Sequence, residues 1–148
     1  MQEISNPSSV LLSERNENAT GSIVVASMEG TRPILVELQA LTSTSVFGMA
    51  RRTANGIDYN RLTLLIAVLE KRAGLPLGNQ DAYLNIVGGI KINEPALDLG
   101  IVLSVASSFK NIPIPNDTLA IGEVRLNRRS KISKSNRKEN KRSRKIRF

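Results

Sequence analysis

Few side chains of this protein are suited to covalent chemistry, and they concentrate around one turn and the segment after it. The chain of 148 residues contains no cysteine and no histidine. Disulfides, thiol nucleophiles, Cys/His zinc sites and imidazole-based triads are therefore excluded. The remaining candidates are two carboxylates and three hydroxyls that follow them: Glu94, Asp98, Ser104, Ser107 and Ser108.

Glu94 and Asp98 are four residues apart, a spacing that puts two side chains on the same side of a helix. Such a pair can act as acid and base or hold Mg²⁺. A simpler interpretation is available, because acidic side chains are common in the first turn of a helix, where the helix dipole stabilises them. We therefore favour a structural role for both carboxylates.

Four basic residues form a second candidate site. Arg51, Arg52 and Arg61 surround a predicted loop–helix junction, and Lys91 precedes the Glu94 turn. They are either a solvated surface or contacts to the phosphates of a nucleic acid. Aromatic residues make up only 3% of the chain, so base stacking of the kind used by single-strand-binding proteins is not indicated.

Residues 90–109, IKINEPALDLGIVLSVASSF, must position these groups. The pattern predicts the end of a strand, a polar turn capped by Asn93 with Pro95 in the first turn, and then a helix. A helix that is apolar on most sides must be buried. The apolar run is shorter than the roughly 20 residues of a membrane span and is interrupted by Asp98, so burial in a protein core is expected.

The remaining elements follow from apolar periodicity and turn residues. Glu37 and Gln39 break the apolar pattern of one predicted strand. The predicted order is β-β-(β)-α-β-α-β, an α+β sandwich of one sheet with packed helices. The predicted elements are a hairpin of residues 22–28 and 34–41 with a turn at 29–33, a weak strand at 51–54, a helix at 58–74, and strands at 82–90 and 118–124.

The net charge of +8 is unevenly distributed. Residues 125–148 carry twelve Lys or Arg and one acid, a net charge of +11, whereas residues 1–124 carry a net charge of −3. Blocks of like charge are usually disordered and often bind polyanions non-specifically. No secretory signal is visible in the first twelve residues, so the expected location is the cytoplasm.

Four segments of residues 1–124 together resemble one known family: SNPSS, VASMEGTRPILVELQAL, RRTANGIDYNRL with LEKRAGL, and KINEPALDLGIVLSVASS. They are similar to the C-terminal, Lon-protease-like domain of the bacterial RadA (Sms) DNA-repair family. The resemblance implies an α+β, Lon proteolytic-domain-like (ribosomal-protein-S5-domain-2-like) fold whose C-terminal part is missing. It implies that residues 1–13 are the end of an ATPase core or linker, 14–124 the incomplete Lon-like domain, and 125–148 a basic tail.

Members of this family are RecA-type ATPases that promote branch migration of recombination intermediates as hexameric rings. The resemblance therefore implies three partners: single-stranded or branched DNA, further copies of the chain and a RecA-type recombinase, with no membrane partner. ATP, Mg²⁺ and Zn²⁺ belong to other domains of intact relatives, because this chain has neither GxxxxGK[ST] nor cysteine. We expect no cofactor here, and a scaffold for ring assembly and DNA contact through Arg51, Arg52, Arg61 and Lys91.

Lon proteases use a Ser–Lys dyad, with the serine in a Gly-Pro-Ser-Ala-Gly turn at a helix start. The corresponding residues here are 94–98, EPALD, which puts Ala96 at the nucleophile position. The dyad lysine would lie beyond Glu123, where the resemblance ends. We therefore expect no enzyme activity, and Ser104, Ser107 and Ser108 to be small residues of a packed helix. Two alternatives remain: a stand-alone basic nucleic-acid-binding protein acting through its tail and, less favoured, a Lon-type peptidase.

The tail departs from the family after Val124, where relatives continue with a glycine turn. A one-base shift converts Leu-Thr-Gly-Glu into Leu-Asn-Arg-Arg, the sequence of residues 126–129. We favour a frameshift over an evolved basic arm, and we expect Met1 to be an internal start of a longer reading frame. Loss of the following elements would expose a strand edge near residues 118–124.

Overall fold

Five strands form one mixed sheet in the computed structural model, which describes residues 19–46 and 48–126. The strand order is β3-β4-β2-β1-β5, with β1–β2 and β2–β4 antiparallel and β1–β5 and β3–β4 parallel. The predicted α+β class is confirmed. The elements are β1 Ser22–Glu29, β2 Arg32–Thr44, β3 Arg52–Asn55, α1 Tyr59–Arg72, β4 Gln80–Ile86, a 3₁₀ turn Pro95–Leu97, α2 Asp98–Lys110 and β5 Leu119–Ala120.

The β1–β2 hairpin is tighter than predicted, because its turn contains only Gly30 and Thr31. Gly30 has a φ of 64°, which suits a two-residue hairpin turn. The prediction that the turn extends through Pro33 is wrong, since Pro33 lies in β2 opposite Met28. Hydrogen-bonded pairs alternate with non-bonded pairs along an antiparallel ladder, and Glu29–Arg32 closes the turn. Pro33 therefore occupies a non-bonded position, where its missing N–H removes no ladder bond.

Helix α1 matches its prediction closely. Asp58 caps it by accepting a hydrogen bond from the Arg61 backbone N at 3.2 Å. Lys71 and Arg72 lie in its last turn, where cations are favourable. The face buried against the rest of the fold is formed by Leu62, Leu65, Ile66 and Leu69.

Helix α2 begins later than predicted. Asn93 is exposed and does not cap, and Glu94 has an extended backbone with no side-chain capping bond. Pro95 opens a 3₁₀ turn, and the α-helix proper begins at Asp98. The helix ends at Asn111, whose φ of 59° places it in the left-handed region.

Two predicted strands are shorter than the sequence suggests. The strand predicted at residues 82–90 ends at Ile86, because Gly88 and Gly89 have φ values of 100° and 72° that leave the β region. The strand predicted at 118–124 is reduced to two residues, Leu119 and Ala120. Beyond them, Gly122 exchanges backbone hydrogen bonds with Ala96 and Leu99 around the start of α2.

The core lies between one face of the sheet and the two helices. Helix α2 is buried along most of its length, as predicted. No helix within residues 19–46 and 48–126 has both the length and the apolar character needed to cross a membrane. The largest fully buried side chains come from the sheet, both helices, the 3₁₀ turn and the loop before β4: Ile23, Leu38, Leu62, Leu65, Leu69, Leu77, Leu84, Ile86, Leu97 and Ile101.

Gly100 lets α2 approach β1, and its replacement should destabilise the fold. A Cβ at this position would overlap Cγ1 of Val25, a side chain with no exposed surface. We expect Gly100→Ala to lower the free energy of unfolding by about 1–3 kcal/mol, the usual cost of overpacking a core. Urea denaturation measures the change. Gly78→Ala is the control, since its Cβ would meet nothing closer than Glu70 Oε2 at 3.7 Å, and equal losses in the two variants would contradict the close approach.

Candidate functional site

The Glu94 side chain attaches the turn before α2 to strand β1. Its Oε1 accepts hydrogen bonds from Ser27 Oγ at 3.0 Å and from the Met28 backbone N at 3.3 Å. Because Met28 is in a non-bonded pair with Pro33, its N–H points away from β2. It points to the other edge of β1, where β5 pairs only with Val24 and Val25 and does not extend to Met28. Glu94 therefore satisfies a sheet-edge donor, which blunts the edge against pairing with other chains.

Asp98 has different partners from Glu94. Its side chain is 1% exposed and accepts from both Nε and Nη2 of Arg61, the former at 2.9 Å, and from the Val124 backbone N at 3.1 Å. The hydrogen bond to Asp98 raises the pKa of Arg61, partial burial lowers it, and the charges of Asp98 and Glu123 raise it further. The two carboxylates therefore do not form the acid–base pair that their spacing allows. Asp98 also lies in the first turn of α2, in agreement with the structural interpretation.

Ala96 occupies the middle of the turn. Its carbonyl accepts a hydrogen bond from Gly122 N at 2.9 Å, and Gly122 O accepts from Leu99 N at 3.0 Å. The backbone around Ala96 is therefore fixed from both sides by one segment. A methyl side chain at this place has no atom that can be ionised or act as a nucleophile.

The three serines of α2 all make hydrogen bonds with nearby backbone groups. Ser104 is fully buried and donates to Ile101 O at 2.9 Å. Ser107 Oγ donates to a carbonyl of the loop after α2 at 2.6 Å and accepts from the backbone N of Gly21 at 2.8 Å. Ser108 Oγ accepts from the Thr42 backbone N at 2.9 Å, which attaches α2 to β2. Each hydroxyl has a role in packing the helix.

The four basic residues proposed for DNA contact do not form one cluster. Arg61 is engaged with Asp98, and Arg52 donates from its guanidinium to the carbonyls of Gln80 and Leu77, the latter at 3.1 Å. Both are therefore held against the fold. The other two residues, Arg51 and Lys91, are exposed.

Arg51 and Lys91 lie near opposite ends of the edge strand β3. Arg51 precedes β3 directly, and its backbone N donates to Asp81 Oδ1 at 2.7 Å. Lys91 adjoins Ile92, whose backbone N donates to Gly56 O at 2.8 Å, just beyond the other end of β3. At about 3.3 Å per residue, the strand separates the two cations by roughly 15 Å.

A groove that the sequence did not predict lies on the sheet face opposite α1 and α2. The groove has a volume of about 560 Å³, and Glu37 lines it. The signal in the sequence was the break that Glu37 and Gln39 make in the apolar pattern of β2. Within residues 19–46 and 48–126, no group of three or more Asp, Glu, Cys or His side chains is placed to hold a metal ion.

Comparison with known proteins identifies relatives of this chain. No protein-family model matches it. It is 59% identical over 124 residues to the DNA repair protein RadA of Listeria monocytogenes, 56% over 126 residues to that of Halalkalibacterium halodurans, and 58% over 126 residues to that of Bacillus subtilis. Over these residues the chain is homologous to RadA. The matches cover 84–85% of this chain, which spans 27–28% of the length of these RadA proteins.

The RadA homology confirms the family resemblance found in the sequence, which rested on segments that the structure now places on distinct elements. VASMEGTRPILVELQAL forms the β1–β2 hairpin, and KINEPALDLGIVLSVASS forms the turn and helix α2. SNPSS and residues 127–148 lie outside the described residues. The RadA-like part of the fold therefore contains both the Glu94 edge contact and the Arg61–Asp98 ion pair.

The ion pair should be important for stability. Asp98→Asn removes the charge that Arg61 faces and weakens the hydrogen bond to Val124 N. Breaking a fully buried pair costs about 3–5 kcal/mol, but the Arg61 side chain is 32% exposed and can turn to water, so we expect a loss of about 2 kcal/mol. Urea or thermal denaturation measures it. The matched control is Asp117→Asn at an exposed position, and equal stability of the two variants would contradict this role.

Proposed function

We propose that this chain is a non-catalytic scaffold segment of a RadA-like DNA repair protein, with a Lon proteolytic-domain-like fold. The observation that carries the proposal is the 59% identity over 124 residues to a protein named DNA repair protein RadA. In this proposal the intact protein is an ATP-dependent branch-migration enzyme of the cytoplasm that works with a RecA-type recombinase. ATP, Mg²⁺ and Zn²⁺ are bound by its other domains, and the present segment supports ring assembly and DNA contact.

The structure of the turn before α2 supports the non-catalytic part of the proposal. By the resemblance to Lon-type proteases, Ala96 corresponds to their nucleophilic serine. The hydroxyl protons of Ser104 and Ser107 are donated to backbone carbonyls, so neither hydroxyl is set up as an activated nucleophile. Hydrogen bonds from the segment that contains Gly122 and Val124 hold the turn and the start of α2 in place.

The exposed cations at the edge strand support the DNA-contact part of the proposal. Arg51 and Lys91 reach solvent at the two ends of β3, a separation suited to different phosphates of one nucleic acid. Arg52 adds positive charge from a position that the fold holds, whereas the charge of Arg61 is compensated by Asp98. We propose Arg51 and Lys91 for the direct phosphate contacts because both are exposed.

Removing these two charges should weaken DNA binding and its salt dependence. Each phosphate contact contributes about 0.9 to the slope of log K against log salt for duplex DNA, so the variant Arg51→Gln/Lys91→Gln should lower the slope by about 2. Fluorescence anisotropy with a labelled duplex between low and moderate salt measures this. Arg32→Gln/Lys71→Gln, at exposed positions outside β3, should leave the slope nearly unchanged. An unchanged slope in the first variant would contradict the assignment.

The alternative of a stand-alone protein that binds nucleic acid through its tail is supported by the charge of +11 on residues 125–148. Deleting residues 127–148 distinguishes the two proposals. Our proposal expects weaker overall binding, but a residual affinity that still falls when Arg51 and Lys91 are neutralised. Complete loss of DNA affinity on deletion would favour the alternative.

A further inference from the structure

Strand β3 lies at one edge of the sheet, where the part of the chain that the structure describes gives it β4 as its strand neighbour. The backbone N of Ala82 in β4 donates to Arg51 O at 2.9 Å, so the polar backbone groups of Arg51 face β4. In a parallel ladder, alternate residues of a strand bond to the same neighbour. The backbone N–H and C=O groups of Arg52 and Ala54 therefore point away from β4, toward what we call the outer side of β3.

The outer side of β3 is already used at one end. Gly56 continues the alternation of Arg52 and Ala54, and its O accepts from the backbone N of Ile92 at 2.8 Å. The chain itself thus approaches β3 from this side, but only at Gly56. Within residues 19–46 and 48–126, no backbone group from outside the sheet bonds to Arg52 or Ala54. Two consecutive outer positions are left for a further strand.

The chemistry of these positions fits a polypeptide better than a phosphate chain. Arg52 and Ala54 each present one donor and one acceptor to the same side. Another strand in extended conformation supplies the matching acceptor and donor, which is the basis of recognition by strand addition. A phosphate accepts hydrogen bonds but has no donor for the two outward carbonyls, so backbone pairing at this edge selects a protein segment.

The charges around β3 select the kind of segment. Arg51 and Lys91 are exposed at its two ends, and Arg52 adds a third cation. Two nearby carboxylates, Asp58 and Asp81, accept backbone N–H groups and offset part of this charge. Two copies of β3 would bring their cations together whether they paired in parallel or antiparallel, so the edge disfavours pairing with itself. An acidic strand gains where a second copy is repelled.

We propose that the outer side of β3 binds an extended acidic segment of a partner polypeptide as an added strand. Arg52 and Ala54 make the backbone hydrogen bonds, and acidic side chains at the two ends of the segment lie near Arg51 and Lys91. The roughly 15 Å between these cations corresponds to about five residue steps of extended chain. The strand pairing does not depend on DNA binding, although the two ligands use the same pair of cations.

Three peptides added to the full chain test the proposal. The first is acetyl-Glu-Val-Thr-Val-Thr-Glu-amide, whose acidic ends suit either strand direction. The second has lysine in place of both glutamates, and the third is the acidic peptide N-methylated at its two central residues. N-methylation removes one donor from each edge of the peptide but keeps its charge. NMR titration should give a Kd at least fivefold higher for the second and third peptides, and equal Kd values for the acidic peptide and its N-methylated form would overturn the proposal.

Hydrogen exchange locates the binding site at single amides. In the free chain, the amides of Arg52 and Ala54 should exchange faster than those of Thr53 and Asn55, which face β4. The acidic peptide should slow exchange at Arg52 and Ala54 at least threefold. Unchanged exchange at both amides on saturation would overturn the proposal. Slowing by a DNA duplex but not by the peptide would overturn the choice of a polypeptide partner.

Substitutions separate backbone pairing from charge. Ala54→Pro removes an outward N–H, a change that edge strands tolerate, and should weaken the acidic peptide at least threefold, whereas Ala54→Ser keeps the N–H and the affinity. Equal affinity of these two variants would overturn the proposal. If Ala54→Pro does not fold, Arg51→Gln/Lys91→Gln should abolish the preference for glutamate over lysine ends, and Arg32→Gln/Lys71→Gln should preserve it. An unchanged preference in the first double variant would overturn the assigned acidic partner.

Discussion

The ion pair between Arg61 and Asp98 joins three parts of the structure that are distant in sequence. Arg61 lies in the first turn of α1, Asp98 in the first turn of α2, and the same carboxylate accepts the backbone N of Val124. A buried ion pair is weak evidence for net stability, because desolvation offsets the attraction. Its geometry is demanding, however, and an unpaired charge at Asp98 would be costly. The pair therefore specifies how the helix starts and the last described segment fit together.

The turn before α2 uses the polar groups of a helix start for structural contacts. Helix starts present unpaired N–H groups, which proteases use to stabilise an oxyanion. Here the Leu99 N–H is bonded to Gly122 O, and Asp98 takes the Val124 N–H. Glu94, immediately before the turn, reaches away to the Met28 N–H at the sheet edge. Polar groups that could serve catalysis elsewhere are used here to hold the sheet, the turn and the following segment together.

Sequence patterns predicted the elements well where local chemistry dominates. Asp58, the apolar face beginning at Leu62 and the closing glycine gave α1 nearly to the residue. The sequence patterns failed where a contact with a residue distant in sequence determines the local structure. Asn93 looks like a cap, but Glu94 is bonded to β1 and Asp98 to Arg61, so the α-helix starts later. The sequence also grouped the basic residues, and only the tertiary structure shows that two of them are held by carbonyls or a carboxylate.

The sheet separates two electrostatic surfaces that a total charge of +8 does not reveal. Arg51 and Lys91 stand at the ends of the edge strand. On the sheet face opposite α1 and α2, the described residues that line the groove include the carboxylate of Glu37 and no Lys or Arg. Alternation along β3 allows this, because Thr53 and Asn55 face the groove while Arg52 reaches back to the β4 side. A polyanion is therefore favoured at the β3 edge and disfavoured beside Glu37.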